Sequence, residues 1–351
     1  MSPSGDNPIL MSDYSYELPD ELIAQAPIEP RDASRLLVVT RGNQTIEDAT
    51  FRDIDQFLDP GDLFVINDTR VLPARLHGRR TTGGRVELLL LERQGPGRWQ
   101  ALARPLRRLH DGEEISLLDR EGAETEYRAV IEERSAEGVV TVAFAPDTEG
   151  QLGSLGEVPL PPYIHEPLAN PSRYQTVYAR EPGSAAAPTA GLHFTTELID
   201  RLKEQGFRFA TVTLHVGLGT FQPVNVEDAR QHHMHHEWYR VPASALQAIR
   251  EVRESGHRVV AVGSTSCRTL ETVAGEVESR DDLAGSTDLM IAPGHEWKLV
   301  NAMITNFHLP RTTLMLMVCS LGGRDLILRS YREAVARHYR FYSFGDAMLI
   351  R

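Results

Sequence analysis

Apolar residues between positions 35 and 145 come in short runs rather than at helical spacing. Arg35 to Thr40 (RLLVVT) predicts a strand. After the turn Asp59-Pro60-Gly61-Asp62 come LFVIN, RVELLLLER, RWQALAR, EISLL, YRAVIEE and VVTVAFA. Turn signals at Gly83-Gly84, Gly95-Pro96-Gly97, Asp111-Gly112 and Glu137-Gly138 separate them. Short strands at this spacing, with no helical period before about Ala145, predict an all-β sandwich or barrel. Upstream, Pro19 to Gln25 (PDELIAQ) predicts a helix, with proline in its first turn and early acids that suit the dipole.

The pattern then changes. Gly150 to Pro162 (GQLGSLGEVPLPP) reads as a linker returning from the β region. Thr196 to Gln205 predicts a helix stopped by Gly206, and Arg208 to Val216 a strand. A helix over Ser244 to Ser255, a strand over Arg258 to Val262 and a helix from Ser266 follow. Alternating helices and strands predict an α/β fold with an open mixed sheet and flanking helices. Because a helix and strand also precede the β region, that region is read as an inserted all-β barrel-like domain, residues 67–151. Residues 1–66 and 152–351 then form a discontinuous α/β domain. No internal repeat or low-complexity tract is evident.

A length of 351 residues allows roughly two domains at about 150 residues each, and 41% hydrophobic with 25% charged residues excludes wholesale disorder. The apolar run Leu314 to Leu321 is far short of the ~20 residues a membrane span needs. The polar start MSPSGDNPILM reads as a loose leader rather than a secretory signal, with Met11 an alternative start. Cys267 and Cys319 cannot make a disulfide framework, so both are expected as free thiols in a cytoplasmic protein.

Net charge is -12, which argues against indiscriminate nucleic-acid binding. Its distribution changes that picture. Between Arg70 and Arg108 stand ten arginines against Glu87 and Glu92, about +8, leaving the rest of the chain near -20. A basic module on an acidic body would contact a polyanion through Arg75, Arg79, Arg104, Arg107 and Arg108. Arginines solvating a strand face are the plainer reading.

Several segments carry candidate chemistry. His232-His233-Met234-His235-His236-Glu237 has metal-ligand residue types, but it is not HExxH, and Glu237 to Val241 reads as a strand, so no metal is assigned. Histidines acting as acid, base or hydrogen-bond donor, or simply enriched on the surface, are the other readings. Gly217-Leu218-Gly219 lacks the third glycine of a dinucleotide fingerprint and is followed by Gln222-Pro223, so it reads as a close-approach turn. Val262 to Thr269 (VGSTSCRT) is a strand running through a hydroxyl-rich turn into a helix, a setting for anions or polar ligand edges, or an ordinary cap. Ala185 to Phe194 and Thr305 to Pro310 are loops with one histidine each. His193, His215 and His308 are expected to converge at one edge of the sheet.

The chain resembles the S-adenosylmethionine:tRNA ribosyltransferase-isomerase family of queuosine biosynthesis. The likeness runs from YELP (Tyr16) and RDASR (Arg31) through NDTRV (Asn67), PAR (Pro73) and PLPPYI (Pro159) to RYQTVYA (Arg173) and AAPTAGLHF (Ala186). It continues through TLHVGLGTFQPV (Thr213), VGSTSCRTLE (Val262), TNFHLP (Thr305) and YSFGDAMLI (Tyr342). In the histidine cluster only His232, Met234, His235 and Glu237 match. The resemblance implies transfer and isomerisation of the ribosyl group of S-adenosylmethionine onto the aminomethyl-deazaguanine base at the tRNA wobble position, giving epoxyqueuosine, adenine and methionine. S-adenosylmethionine is then a co-substrate and no cofactor is expected. Its sulfonium acidifies the adjacent carbon and serves as the electron sink, leaving the protein to supply base, proton donor and orientation.

On that resemblance His193, His215, His235 and Glu237 form the acid/base pool. Tyr163, Tyr174, Gln175, Thr189, Phe194, Gly217, Gly219, Thr265, Ser266, Arg268, Thr305, Asn306, Phe307 and His308 form the substrate-binding set. Phe194, Phe307 or Tyr163 would face the sulfonium or adenine. The partners are tRNA, through its anticodon loop, and S-adenosylmethionine, with no membrane and no obligate protein partner. Asn301 stands where the family pattern has Asp, a departure that weakens activity if that acid protonates the leaving group. Two other classes remain: a non-catalytic tRNA-binding module, and a metal-dependent hydrolase built on residues 232–237.

Overall fold

A computed structural model describes residues 8–134, 139–166, 168, 170–217 and 224–351. The leader up to residue 7, the turn Glu137-Gly138, and the segment holding Leu218, Gly219, Gln222 and Pro223 lie outside the described residues.

The chain first lays down β1 (Arg35–Thr40), β2 (Thr45–Thr50), β3 (Leu63–Asn67) and the short β4 (Thr69–Val71). Six strands follow: β5 (Arg75–Arg80), β6 (Arg85–Gly95), β7 (Arg98–Arg104), β8 (Glu113–Leu118), β9 (Glu124–Arg134) and β10 (Val139–Phe144). They close into an antiparallel barrel in the order β10-β7-β6-β5-β8-β9. After α1 (Pro146–Leu155) and β11 (Glu181–Ser184) come α2 (Thr196–Glu204), β12 (Arg208–Leu214), β13 (Glu237–Val241), α3 (Ala243–Glu254) and β14 (Val259–Val262). The chain ends with α4 (Gly263–Thr272), β15 (Leu283–Thr287), β16 (Ala302–Asn306), α5 (Thr313–Gly322), α6 (Arg324–Ala336) and β17 (Ala347–Ile350).

Nine strands form a mixed sheet in the order β15-β13-β12-β3-β14-β16-β17-β1-β2. Its centre, β12-β3-β14-β16, is parallel. Alternation of side chains assigns successive residues to opposite faces. Leu37, Val39, Leu63, Val65, Val259 and Ala261 pack with Leu246, Leu270, Leu316 and Ile327 of α3 to α6. Leu36, Val38, Phe64, Ile66, Val260 and Val262 pack on the other face with Phe51, Phe194, Leu198 and Leu202. With both faces covered, the central strands read as unbroken apolar runs. Alternate residues of the barrel strands, among them Leu76, Leu88, Ala101, Ile115, Ile131 and Val142, fill a separate core.

Where β3 leaves the sheet, the Asn67 side chain continues the ladder. Its Nδ2 donates to the Leu214 carbonyl at 3.0 Å, and its Oδ1 accepts from Leu214 N at 3.0 Å and Thr69 N at 3.1 Å. The chain then enters the barrel beside its own way out. Arg75 and Glu157 exchange backbone hydrogen bonds, and a Cβ at Gly156 would lie 1.8 Å from the Pro73 carbonyl oxygen.

Three expectations need correction. Residues 19–25 make only a 3-10 turn over Asp20–Leu22, because Ile23 bridges to Phe341 and Ala24 N donates to the Phe341 carbonyl. The first half of the supposed linker is helix α1. Its glycines at 150 and 153 hide it in the sequence, but Leu155 packs in the barrel core and Glu149 takes Arg93, Trp99 Nε1 and Gly97 N. Nor is the barrel a basic module. Over residues 75–144 twelve arginines meet twelve acidic residues, since β8 and β9 bring the acids that the Arg70–Arg108 window lacks.

Candidate functional site

The C-terminal ends of the parallel strands share one edge, the side on which α/β sheets hold ligands. From that edge β12 runs into His215, β14 into α4, and β16 into Phe307 and His308. A cleft opens there, lined by His232, Met234, His235, Glu237, Arg268, His308 and Tyr342, with the start of α5 at Thr312 and Thr313. The four residues of the histidine cluster that match the family pattern are the four on this cleft. His233 and His236 are exposed elsewhere, the latter 4.0 Å from Asp288.

At the cleft floor Arg268 Nη1 lies 3.0 Å from Glu237 Oε2, with both side chains buried. Glu237 Oε1 also accepts from Gly217 N at 3.3 Å. The strand β13 fixes Glu237 and the second turn of α4 fixes Arg268, so the pair joins sheet to helix. Arg268 Nε, Ser266 Oγ and Thr265 Oγ1 are buried with no hydrogen-bond partner among the described residues. Helix α4 begins at Gly263, three residues earlier than the sequence predicts, so Thr265 and Ser266 lie in its first turn. Gly263 has φ +86, a conformation open to glycine, and this lets the strand turn directly into the helix.

The three loop histidines differ. His308 Nε2 pairs with Thr305 Oγ1 at 2.7 Å, its backbone N–H donates to the Tyr331 hydroxyl at 3.1 Å, and its carbonyl accepts from Tyr16. Burial pushes its imidazole down to about 4. His193 is held between Ser34 Oγ at Nδ1, 2.8 Å, and Asn306 Nδ2 at Nε2, 3.3 Å. The Tyr342 carbonyl only accepts, so the Asn306 nitrogen faces it at 2.9 Å and gives its second N–H to His193. His193 therefore carries its proton on Nδ1. Burial, then the charges of Arg31 and Arg340, push it down to about 3. His215 pairs with Thr69 Oγ1 at 2.8 Å and stacks on the exposed ring of Trp238, centroids 4.9 Å apart, its pKa lowered mainly by burial.

These histidines share the sheet edge without sharing a cavity. His308 lines the large cleft, whereas His193 lines a second one with Arg31, Arg173, Ser343 and Phe344. His215 lines neither. The segment from Tyr342 to Gly345 divides the two clefts, with Tyr342 on one and Ser343 to Gly345 on the other.

Other expected site residues are distributed as follows. Phe194, Phe307 and Tyr174 do not face a cleft; all three are fully buried, Phe194 against Phe51 and Phe64, and Phe307 among Tyr331, Tyr339 and Phe341. Gln175 bonds through both ends of its amide to the Val71 backbone. Tyr163 sets its hydroxyl 2.5 Å from Ser343 Oγ and its ring 4.0 Å from that of Tyr342, bracing the divider. Thr189 opens the 3-10 turn that carries His193. Asn306 Oδ1 is buried with no partner among the described residues. Gly219 lies outside them.

On the barrel, Arg79 pairs with Glu124 at 2.8 Å and Arg75 approaches Glu87 at 3.9 Å. Arg104, Arg107 and Arg108 are exposed and carry no ion pair among the described residues. No group of three or more described His, Cys, Asp or Glu side chains could hold a metal ion. Asn301 lies at the opposite end of β16 from the clefts, where its Oδ1 accepts from Val259 N at 2.9 Å. An amide there keeps the hydrogen bond an acid would make, and the departure does not touch either cleft. Arg31, Arg173, Ser34, Tyr342 and Thr312 were not singled out from the sequence. Arg31, Ser34, Arg173 and Tyr342 fall in motifs that carry the resemblance, which is the one signal that pointed to them.

The profile of the family described as queuosine biosynthesis protein matches residues 11–350. The chain is 54% identical over 346 residues to the S-adenosylmethionine:tRNA ribosyltransferase-isomerase of Symbiobacterium thermophilum, covering 97% of this chain and 99% of that one. It is 50% identical over 340 residues to the enzyme of the same name from Thermotoga maritima, covering 97% and 99%. The crystal structure of S-adenosylmethionine tRNA ribosyltransferase from Thermotoga maritima superposes with a TM-score of 0.56 at 41% identity, over 97% of this chain and all of that one. With its motifs in order along the whole length and its β-barrel set into a mixed α/β sheet, this chain belongs to the queuosine biosynthesis protein family.

Proposed function

We propose that the chain is a transferase that moves and isomerises the ribosyl group of S-adenosylmethionine onto the aminomethyl-deazaguanine base at the wobble position of tRNA. The products are epoxyqueuosine-tRNA, adenine and methionine. The observation that carries this reading is the full-length likeness, at 54% identity, to a relative bearing that name. The relatives support catalysis rather than a non-catalytic RNA-binding module.

The chemistry needs a group to take a proton from the carbon beside the sulfonium and a donor for departing adenine. The sulfonium receives the electron pair when its bond to the ribosyl carbon breaks, so methionine leaves as a neutral thioether. No outside oxidant or reductant enters the balance, and no cofactor beyond the co-substrate is assigned. His235, exposed on the large cleft next to Glu237, is the member of the acid/base pool best suited to exchange protons. Glu237 and Arg268, with Thr265 and Ser266, present polar edges to the donor. His193 and His308, neutral at physiological pH, serve as fixed hydrogen-bond partners, and His215 supports the wall at Trp238. The tRNA anticodon loop meets the inserted segment 67–151, where Arg104, Arg107 and Arg108 offer unneutralised charge and Arg75 and Arg79 offer less. The enzyme acts in the cytoplasm without an obligate protein partner.

Chromatographic detection of adenine and methionine, after mixing the protein with S-adenosylmethionine and a stem-loop carrying the aminomethyl-deazaguanine base, tests this directly. Equimolar release that depends on the RNA is expected. RNA binding with no release would return the reading to a binding module.

A further inference from the structure

The second cleft has a composition that retaining His193 does not require. Arg31 and Arg173 arrive from distant segments and face it together. Arg31 donates to the carbonyls of Gln175 at 2.7 Å and Ser172 at 3.3 Å, and Arg173 donates to the Ile28 carbonyl at 2.7 Å. These bonds orient both guanidinium groups and neutralise neither. Arg31 bonds the carbonyl of Ser172, the residue next to Arg173, and burial, then the Arg173 charge, lower its pKa against the opposing charge of Glu29. The carboxylate in reach is Glu29, 3.0 Å from Arg173, and its side chain is 74% exposed while that of Arg173 is 15% exposed. Glu29 thus reaches in from solvent to a cation pair fixed in the wall. The same cleft is lined by Ser343 and by the uncharged His193 ring, which adds no third cation to it. The segment Tyr342 to Gly345 lines both this cleft and the one holding Glu237 and Arg268, with Tyr342 on the latter and Ser343 to Gly345 on this one.

We propose that the Arg31–Arg173 cleft is an anion subsite, which binds one compact oxyanion of a ligand whose reacting part lies across the divider, and that Glu29 occupies it until that oxyanion displaces it. Two planar guanidinium forks suit a phosphodiester or a carboxylate. The inference rests on the ribosyl-transfer reading, which supplies two such anions: an RNA phosphodiester beside the target base, and the methionyl carboxylate of S-adenosylmethionine.

Equilibrium binding to the full chain tests it without turnover. The probes are an anticodon stem-loop RNA, S-adenosylmethionine and decarboxylated S-adenosylmethionine, and the variants are Arg173→Gln, Arg31→Lys and Glu29→Gln. Arg173→Gln should weaken one probe by about tenfold or more, Arg31→Lys by less, and Glu29→Gln should tighten the same probe. If the RNA is affected and its salt slope falls by about one, the anion is a phosphodiester. If S-adenosylmethionine is affected and its decarboxylated form is not, the anion is the carboxylate. Wild-type affinity and salt slope for every probe in both arginine variants, each shown folded by its unfolding midpoint, overturns the proposal. Should Arg173→Gln fail to fold, Glu29→Gln, a surface change, decides: no tightening of any probe overturns it. Absence of adenine release by the wild-type protein would defeat the transfer reading alone and leave these binding outcomes to decide the subsite.

Discussion

Glu237 and Arg268 are each harmless only while the other is present. A buried ion pair broken on one side leaves a desolvated charge, at a cost of about 3–5 kcal/mol. Arg268→Met should therefore lower the unfolding free energy by about that amount and abolish adenine release. The double variant Glu237→Gln/Arg268→Met should recover much of the stability but none of the turnover, as urea unfolding and a release assay would show together. His193 and His308 set a pH dependence of known sign. Their folded values, about 3 and 4, lie below the ordinary 6.5 of an unfolded histidine. Between those limits the unfolded chain binds protons the folded one does not, so stability falls as pH falls and is unaffected above about 7. By pH 5 the loss approaches about 2 kcal/mol per histidine. His308→Gln should flatten the slope of unfolding midpoint against pH between 5 and 7; an unchanged slope would remove His308 from this account. The sequence exposed these histidines as candidates but not their environments. Whether an imidazole meets water or a serine, as His193 meets Ser34, depends on residues 159 positions apart.

At the scale of elements, periodicity was a good guide wherever burial made it strict. Strands β1, β3 and β14 alternate without error between two covered faces, and their runs stand out in the sequence. Helices α2 and α3 were equally legible from their amphipathic spacing. The failures share a cause: tertiary contact outweighed local preference. Residues 19–25 have the composition of a helix start, yet Ile23 and Ala24 are drawn onto Phe341. Helix α1 looks like a linker because Gly150 and Gly153 depress its propensity, and the barrel core restores what they lose. The close approach at its end is testable. Gly156→Ala would push a methyl into the Pro73 carbonyl, so α1 and the strand leading into the barrel must separate. A loss of roughly 1–3 kcal/mol is expected, read as a lower unfolding midpoint. No change would mean the two segments are not packed as described.

For the whole molecule, charge is arranged more locally than a running count implies. The barrel is neutral overall, yet it keeps Arg104, Arg107 and Arg108 exposed while Arg75, Arg79, Arg80, Arg98 and Arg128 turn to acids on neighbouring strands. Charge reversal at Arg107 and Arg108 should weaken stem-loop binding and make its salt dependence shallower by about two in log–log slope, whereas Arg79→Gln should do little, because Glu124 already neutralises that charge. A titration of binding against salt separates the two outcomes. The fold class was readable because insertion leaves a plain mark, strands interrupting an α/β alternation. The clefts were not, since each gathers residues from four or more separate segments. The paired backbone at Arg75 and Glu157 carries one more consequence. Because the barrel begins and ends at adjacent points, joining residue 74 to residue 157 through a short turn adds little closure entropy. The barrel is thus a removable cassette: the α/β body should survive its excision and keep the donor cleft, and a barrel from a relative with different tRNA preferences should graft onto the same two ends.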